Sequence, residues 1–362
     1  MEHNEEKMRS SFQVMAGLIG MVKPLLGFMV LAVLMGCIGN LAATFLTVFG
    51  GYGLLSAAGV YDGKPFYVIA AVLIIFAVFR GILRYAEQSC NHFIAFKLLA
   101  RIRHQVFAAL RKLAPARLDG SGKGNLISII TSDIELLEVF YAHTISPVAI
   151  AVITSVFMSV FIGYQHPAAG VLALVSYVVV GAVIPLLNGR KGKESGQKYR
   201  DSFGELNTAV LDNLYGLEEL LQYGQTGKRM EKMAEQTEEL EKTSKRLKKD
   251  ENVQRISTDT VILAAGILML VLCGYFVREG EMDFYQGVIA VIAVMSSFGP
   301  AAALSALSNN LNHTLASGNR VLNILEEKPV VEDVREGAEL EEGTVACPVS
   351  YTHLRAHETD SY

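Results

Sequence analysis

Four polar side chains follow one another at steps of four residues where a long apolar run ends: Arg80, Arg84, Gln88 and His92. Residues four apart lie on the same face of a helix, so these side chains are expected to form one polar stripe. Glu87, three residues after Arg84, is placed to pair with it. Charged groups in a membrane are costly unless they face a cavity, a partner or the lipid headgroups.

The stripe has two interpretations. In the first, it lines an inward cavity and binds an anion, because guanidinium groups suit carboxylates. In the second, Arg80 and Arg84 reach the phosphates of the inner leaflet, and His92 is an ordinary residue of a helix surface. Asn40 and His143 also lie in or near apolar runs and could contact a ligand, although an interhelical hydrogen bond is their commoner role.

The composition is that of a membrane protein. Of 362 residues, 51% are hydrophobic and 19% are charged, and the formal net charge is -4. The four cysteines lie far apart and form no C-x-x-C pair, so neither a disulfide framework nor a structural zinc site is expected. The first apolar run, Leu25 to Phe49, is too long for the core of a signal peptide, and we expect no cleavage there.

Six apolar runs are long enough to cross a bilayer. We predict an all-α membrane protein with six transmembrane helices and two long cytoplasmic helical hairpins. The predicted spans are 25–49, 66–85, 139–164, 168–187, 258–277 and 284–304. Residues 1–23 are predicted to form an amphipathic elbow helix that lies flat on the inner membrane surface.

The helix that carries the polar stripe is predicted to run from Phe66 to Leu113, because no strong helix breaker occurs before Pro115. Such a helix is about 70 Å long, whereas the core of a bilayer is about 30 Å thick. More than half of it must therefore stand outside the lipid. This outer part keeps an apolar face, which needs a helical partner in the cytoplasm. The residues of the face are Ala95, Leu99, Ile102, Val106, Leu110 and Leu113.

The distribution of lysine and arginine predicts the orientation. The three short connections carry only Lys64 and Arg278, whereas the N-terminus and the two long connections carry almost all the rest. Both termini and both long connections are therefore predicted to be cytoplasmic. The connection 189–257 is predicted to form the second hairpin, with glycines in its middle. Its return helix carries Met233, Leu240 and Leu247 at heptad spacing.

This layout resembles the membrane half of exporter-type ABC transporters over residues 1 to about 345. The resemblance implies a transmembrane domain at 24–325 and a linker to a nucleotide-binding domain at 326–347. The segments 114–138 and 203–229 resemble the two intracellular loops that couple the membrane helices to that domain. The resemblance assigns coupling roles to Ala116, Arg117, Leu118, Asp119, Gly120, Gly204, Glu205 and Leu206.

Within that family, the run RYAEQSCNHFIAFKLLARIR is similar to the CydC subunit of the heterodimeric CydDC exporters. Gln88 stands where a second arginine is usual. The resemblance implies that His92 is an axial ligand of haem, with Arg80 and Arg84 at the propionates. It also implies export of cysteine- or glutathione-type thiols or of haem, a CydD-like second half-transporter, and the bacterial cytoplasmic membrane as the location.

The phosphate-binding loop G-x-x-x-x-G-K-[ST] does not occur in the sequence. Two candidate G-K pairs, at Gly122 and Gly227, lack both the opening glycine and the following Ser or Thr. We therefore expect that this fragment is not an enzyme by itself, and that ATP and Mg²⁺ bind to a nucleotide-binding domain outside it. Residues 348–362 resemble translated vector sequence and are expected to be non-native.

Two alternatives to a thiol or haem exporter stay open at this stage. One is half of a lipid or drug exporter, and the other is a non-transporting subunit whose bound haem regulates its partner. A stripe of arginine and histidine is compatible with binding and with transport. The expected partners are membrane lipid, a second half-transporter and nucleotide-binding domains, but no nucleic acid.

Overall fold

The described part of the chain is built from helices that run back and forth between two ends. The structure is a computed structural model that describes residues 9–61, 65–114 and 129–329, in which no β-strand occurs. Apart from Lys328 and Pro329, these residues belong to one compact unit, Met1–Glu327. The predicted coupling residues 116–120, the expected non-native tail 348–362 and the predicted linker beyond Pro329 lie outside the described residues.

Six helices are long and apolar enough to cross a membrane, which confirms the predicted fold class. They are Lys23–Ala57, Tyr67–Leu113, Ile129–Gln165, Pro167–Asn188, Thr226–Glu279 and Phe284–Ser305. The regular α-helices are α1 Ser11–Met21, α2 Leu26–Ala57, α3 Phe66–Leu113, α4 Ile134–Phe140, α5 Ser146–Gln165, α6 Pro167–Val178, α7 Ile184–Tyr215, α8 Leu217–Gln222, α9 Thr226–Glu279, α10 Phe284–Ser297 and α11 Gly299–Glu326. Wider π-helical turns occur at Ile129–Asp133, Tyr141–Ile145 and Val179–Val183.

The predicted elbow is the short helix α1. Its N-terminus is closed by a capping box, in which the Gln13 backbone N–H donates to Ser10 Oγ at 3.3 Å and the Gln13 side chain accepts from the Ser10 N–H at 3.0 Å. Leu18 is fully buried against the rest of the protein, whereas Phe12 is 76% exposed. One side of α1 thus packs on the protein, and its other side presents an aromatic ring outward, as an interfacial helix does.

The long helix α3 has the predicted bounds, Phe66–Leu113. The six apolar residues of its outer part are all buried, with exposures of 7% or less, and they pack against α4 and α11. The predicted need for a helical partner is confirmed. The membrane part of α3 differs, since only 6% of its apolar window is buried, against 22% to 44% in the other five spans.

The second predicted hairpin is formed by α7 and α9, which pack along each other. Its turn contains Gly216, the short helix α8 and Gly224, whose φ of 62° favours glycine. Gly204 and Gly227 also belong to the glycines predicted to lie in the middle of this hairpin. They lie inside α7 and α9 and do not interrupt these helices. On α7, a hydrogen bond from Lys198 and its charge hold the pKa of the Glu194 carboxyl below its ordinary value.

Two apolar cores lie in different parts of the unit. The stalk-side core joins α1, the start of α2, the outer part of α3, α4 and the end of α11. The far core joins the end of α2 and the start of α11 with α5, α6, α9 and α10. The polar stripe of α3 begins between them, because Arg80 and Arg84 precede the first α3 residue of the stalk-side core, Ile94.

Candidate functional site

A cavity of about 390 Å³ lies between α2, α3, α5 and α11. Arg80 and Arg84, one turn apart on α3, contribute to its wall. Asn40 from α2, Pro147 from α5 and Pro300 from α11 lie on the other sides. Because Arg80 and Arg84 are four residues apart, both guanidinium groups lie on the face of α3 that meets these helices. The first two residues of the predicted stripe are thus brought to one cavity.

Glu87 also lines this cavity, although its side chain is only 2% exposed. Its Oε2 accepts a hydrogen bond from Arg84 Nη1 at 2.8 Å, and its Oε1 accepts one from Asn91 Nδ2 at 3.5 Å. A buried carboxylate is unfavourable without a partner, so the Arg84 charge stabilises it. The predicted pairing of Glu87 with Arg84 is confirmed.

The helix α2 packs closely over this ion pair. A Cβ atom added at Gly36 would lie 2.2 Å from Ile150 Cδ1 on α5 and 3.1 Å from Glu87 Cδ, so the missing side chain allows α2 to pack closely on both helices. Asn91 is 1% exposed, and its Oδ1 has no hydrogen-bond partner among the described residues. The carboxylate of Glu87 is therefore held between α2 and α3, with an unsatisfied amide oxygen close by.

Arg80 differs from Arg84 in its partners. It is exposed, and it forms no ion pair or hydrogen bond with any residue of the described ranges. Two guanidinium groups and one carboxylate therefore line the cavity, and together they carry one net positive charge. Because guanidinium groups form paired hydrogen bonds with carboxylates and phosphates, the cavity suits a ligand that carries an anionic group.

Two prolines shape the cavity by interrupting helices. Pro300 has no N–H to donate to the Ser296 carbonyl, and the sixth span breaks at Phe298, between α10 and α11. The freed Ser296 carbonyl accepts a hydrogen bond from Thr44 Oγ1 on α2 at 3.5 Å. Pro147 follows the wide turn Tyr141–Ile145 at the start of α5. The cavity thus lies where two spans depart from regular helix geometry.

His92 and Gln88 lie away from this cavity. His92 is two turns beyond Arg84, about 12 Å along the helix axis. Its Nδ1 is 3.5 Å from Glu138 Oε1, and its ring centroid is 5.6 Å from that of His143. Gln88 is half-buried and is not among the residues that line the cavity. The stripe is therefore divided into a pair of arginines at the cavity and a histidine beside the third span.

The haem arrangement implied by the resemblance requires one pocket with an imidazole and two guanidinium groups. In the described ranges, the cavity that contains Arg80 and Arg84 does not include His92, whose ring stacks on Phe96 at 5.9 Å. In the described ranges, the imidazole and the two guanidinium groups therefore do not line one cavity. Among the described residues, no group of three or more His, Cys, Asp or Glu side chains is placed to hold a metal ion.

Those predicted coupling residues that fall within the described ranges lie on the second hairpin. Gly204, Glu205 and Leu206 are inside α7, about 15 Å before the turn that begins at Gly216. The turn itself presents large apolar side chains to solvent. They are Leu214, Tyr215, Leu217, Leu221 and Tyr223, with exposures between 47% and 83%.

Several neighbours of the stripe were not predicted from the sequence as parts of one site. Pro147 and Pro300 could be recognised as breaks in apolar runs, but not as two walls of one cavity. Asn40 lines the cavity, and its amide also donates to the Gly36 carbonyl of its own helix at 2.8 Å. Glu138 carries no local signal that would link it to His92, because the two residues are 46 positions apart.

Comparison with known proteins identifies similar chains. A family model described as the ABC transporter transmembrane region matches residues 25–301. A probable ABC transporter ATP-binding/permease protein of Haemophilus influenzae is 38% identical over 334 residues, which cover 92% of this chain and 60% of that protein. The glutathione/L-cysteine transport system ATP-binding/permease protein CydC of the same species is 26% identical over 296 residues, which cover 79% of this chain and 50% of that protein.

An ATP-dependent lipid A-core flippase of Shewanella denitrificans is 21% identical over 286 residues, which cover 78% of this chain and 47% of that protein. The chain thus spans between about half and three fifths of the length of these relatives.

Proposed function

Since this chain belongs to the ABC transporter transmembrane-region family, as the permease part of a type-1 exporter, we propose that it moves a small compound with a carboxylate group across the bacterial cytoplasmic membrane. Cysteine- or glutathione-type thiols are the proposed cargo, by analogy with the relative named as a glutathione/L-cysteine transport system. ATP and Mg²⁺ act through a nucleotide-binding domain, so that the complete protein is an ATP-hydrolysing translocase. Both termini face the cytoplasm in this proposal.

The observation that carries this proposal is the cavity between α2, α3, α5 and α11. It lies beside two proline-interrupted spans and carries one net positive charge, from Arg80, Arg84 and Glu87. Of the two cavity arginines, Arg80 is the one that pairs with no described residue, so it is the group that meets the carboxylate of the cargo. Motion at the two prolines can open or close the space beside it, as alternating access requires.

The test is a change of Arg80 in the complete protein, assembled with its nucleotide-binding domain and reconstituted in liposomes. We expect Arg80→Gln to weaken the apparent affinity for glutathione in ATP-dependent transport about ten-fold or more, because a hydrogen bond to a charged group is lost. Arg101→Gln is the matched control, because Arg101 is an exposed arginine farther along the same helix. It should leave the transport unchanged.

Equal transport by wild type and Arg80→Gln would contradict this role of the cavity. The alternative function is half of a lipid exporter. The exposed membrane part of α3 supports it, because a cavity beside this helix can open towards lipid. In that case amphiphiles would stimulate ATP hydrolysis by the complete protein, whereas glutathione and cysteine would have no effect.

Haem binding through His92 is a separate proposal, supported by the run that resembles CydC and by the half-exposed imidazole. Purified heterodimer loaded with haem should lose its Soret absorption band in His92→Ala and keep it in His104→Ala, where the histidine is exposed on the same helix. An unchanged band in His92→Ala would rule out this ligand. Bound haem without ATP-dependent movement of any ligand would favour the haem-regulated subunit.

The proposed partners follow from the same family. A second half-transporter, CydD-like in the thiol proposal, completes the pathway, and the two cytoplasmic hairpins contact the nucleotide-binding domains. In the second hairpin, Gly204, Glu205 and Leu206 remain the predicted coupling residues, and the exposed apolar turn around α8 adds a surface for such a contact. Exposed leucine and tyrosine side chains at a hairpin tip are stabilised when another domain covers them.

A further inference from the structure

Asp133 is a buried acidic residue at the cytoplasmic end of the third span. Its side chain is 4% exposed, and it lies at the end of the wide turn Ile129–Asp133. Arg320 on α11 holds both of its oxygens, since Nε donates to Oδ2 at 2.6 Å and Nη2 donates to Oδ1. Ser317 Oγ donates to the same Oδ1 at 3.1 Å. A two-pronged arginine contact of this kind fixes orientation as well as distance.

The opposite side of α11 is held by the elbow helix. Arg9, just before α1, donates through Nη1 to Asn319 Oδ1 at 3.1 Å and through Nη2 to Glu326 Oε2 at 2.8 Å. Below these contacts α1 packs directly on Gly318, where an added Cβ would lie 2.9 Å from Leu18 Cδ1. The end of α11 is therefore bound to Asp133 on one side and packs against α1 on another.

The ion pair of Asp133 and Arg320, together with the contacts between α1 and α11, forms a joint whose position along the chain indicates its role. Asp133 lies in the described part of the predicted first intracellular loop, 114–138, and Glu326 ends the last helix where the predicted linker begins. The joint thus connects the two predicted routes by which a nucleotide-binding domain would act on the membrane helices. Separating Asp133 from Arg320 would leave a buried charge without a partner, so the two helix ends are expected to move together.

We propose that Asp133 and Arg320 are positioning residues that couple the sixth span to the third during the ATP-driven cycle. The inference rests on the proposed exporter function. Because the ion pair joins the third and sixth spans, movement of either the linker or the first intracellular loop displaces both spans together. These two spans also supply Pro147 and Pro300, so the displacement arrives at two walls of the cavity.

The test measures how accessible the cavity is to a thiol reagent, and it does not depend on the identity of the cargo. A cysteine is placed at Ala43, which lines the cavity, in the complete protein after removal of its native cysteines. Its rate of reaction with a membrane-impermeant thiol reagent is compared without nucleotide and with ATP and vanadate. Arg320→Gln and the double variant Asp133→Asn/Arg320→Gln break the ion pair. The double variant leaves no unpaired buried charge, so it should fold if Arg320→Gln does not.

We expect both variants to hydrolyse ATP within about two-fold of the wild-type rate, while the nucleotide-induced change in labelling falls about five-fold or more, the lower end of coupling between distant sites. Arg103→Gln is the matched control, because Arg103 forms an exposed ion pair with Glu135 at 3.6 Å on the same side of the molecule. It should retain the full change. A pair that only stabilises the fold would lower the thermal midpoint and leave the labelling response intact.

The two ways to fail are distinct. A labelling change in the variants equal to that of wild type would overturn the coupling role of Asp133 and Arg320 alone. No nucleotide-induced change in the wild-type protein would overturn the proposed exporter function, and the coupling role with it.

Discussion

The two arginines of the cavity differ in how their charges are satisfied. Arg84 Nη1 lies 2.8 Å from a buried carboxylate oxygen of Glu87, whereas Arg80 pairs with no described residue. Glu87 thus acts as an internal counter-ion that reduces the positive charge offered to a ligand. Only Arg80 is left without a counter-charge, so the cavity offers one guanidinium group to a carboxylate of the cargo.

Removing this counter-ion should strengthen anion binding. We expect Glu87→Gln to raise the affinity of the purified protein for glutathione about ten-fold, since Arg84 is then free to bind a second carboxylate oxygen. Isothermal titration calorimetry measures the effect. Glu135→Gln is the matched control, because Glu135 is an exposed carboxylate beyond the cavity, paired with Arg103. Unchanged or weaker binding by Glu87→Gln would contradict the role of Glu87 as an internal competitor.

At the scale of helices, close packing of α1 against α11 joins the elbow helix to the sixth span. The elbow helix α1 packs closely on α11 at Gly318, where an added Cβ would lie 2.9 Å from Leu18 Cδ1 and 3.2 Å from Val14 Cγ1. The Tyr141 hydroxyl donates to the Leu18 carbonyl at 3.2 Å and ties the third span to the same helix. The elbow is therefore part of the stalk-side core and not only a membrane anchor.

A bulkier residue at this contact should displace α1. We expect Gly318→Leu to lower the free energy of unfolding by about 1–3 kcal/mol through overpacking. Gly274→Leu on α9 is the matched control, because a Cβ there meets no atom within 4 Å. Both changes alter helix propensity equally, so the difference between their thermal unfolding midpoints in detergent isolates the packing term. Equal midpoints would show that α1 tolerates displacement from α11.

At the scale of the whole molecule, the polar cavity lies between two apolar cores. The stalk-side core contains α1, α3 and α4, the far core contains α5, α6, α9 and α10, and the helices α2 and α11 contribute to both cores. The helix α3 belongs only to the first of these cores, and its membrane part is 6% buried. Because α2 and α11 contribute to both cores and also line the cavity, a displacement of either helix would change the packing of both cores and the space of the cavity.

The helices themselves were largely predictable. The bounds of α3 and its buried stripe follow from an unbroken run of helix formers and a 3.6-residue period, both of which are local properties. The second hairpin was predicted with a turn interrupted by glycines, and the structure narrows that turn to Gly216, α8 and Gly224. Gly204 and Gly227 remain helical, because an isolated glycine costs only about 1 kcal/mol in a helix.

The sequence by itself determined six spans, one helix far longer than a bilayer, the arginine stripe and its pairing with Glu87, because each depends on neighbours within a few turns of one helix. Only the tertiary structure decided that Arg80 and Arg84 meet Pro147 and Pro300 at one cavity. It also separated His92 from them and joined Asp133 to Arg320 across 187 positions. Contacts between distant segments depend on how whole helices pack, and local periodicity carries no record of that packing.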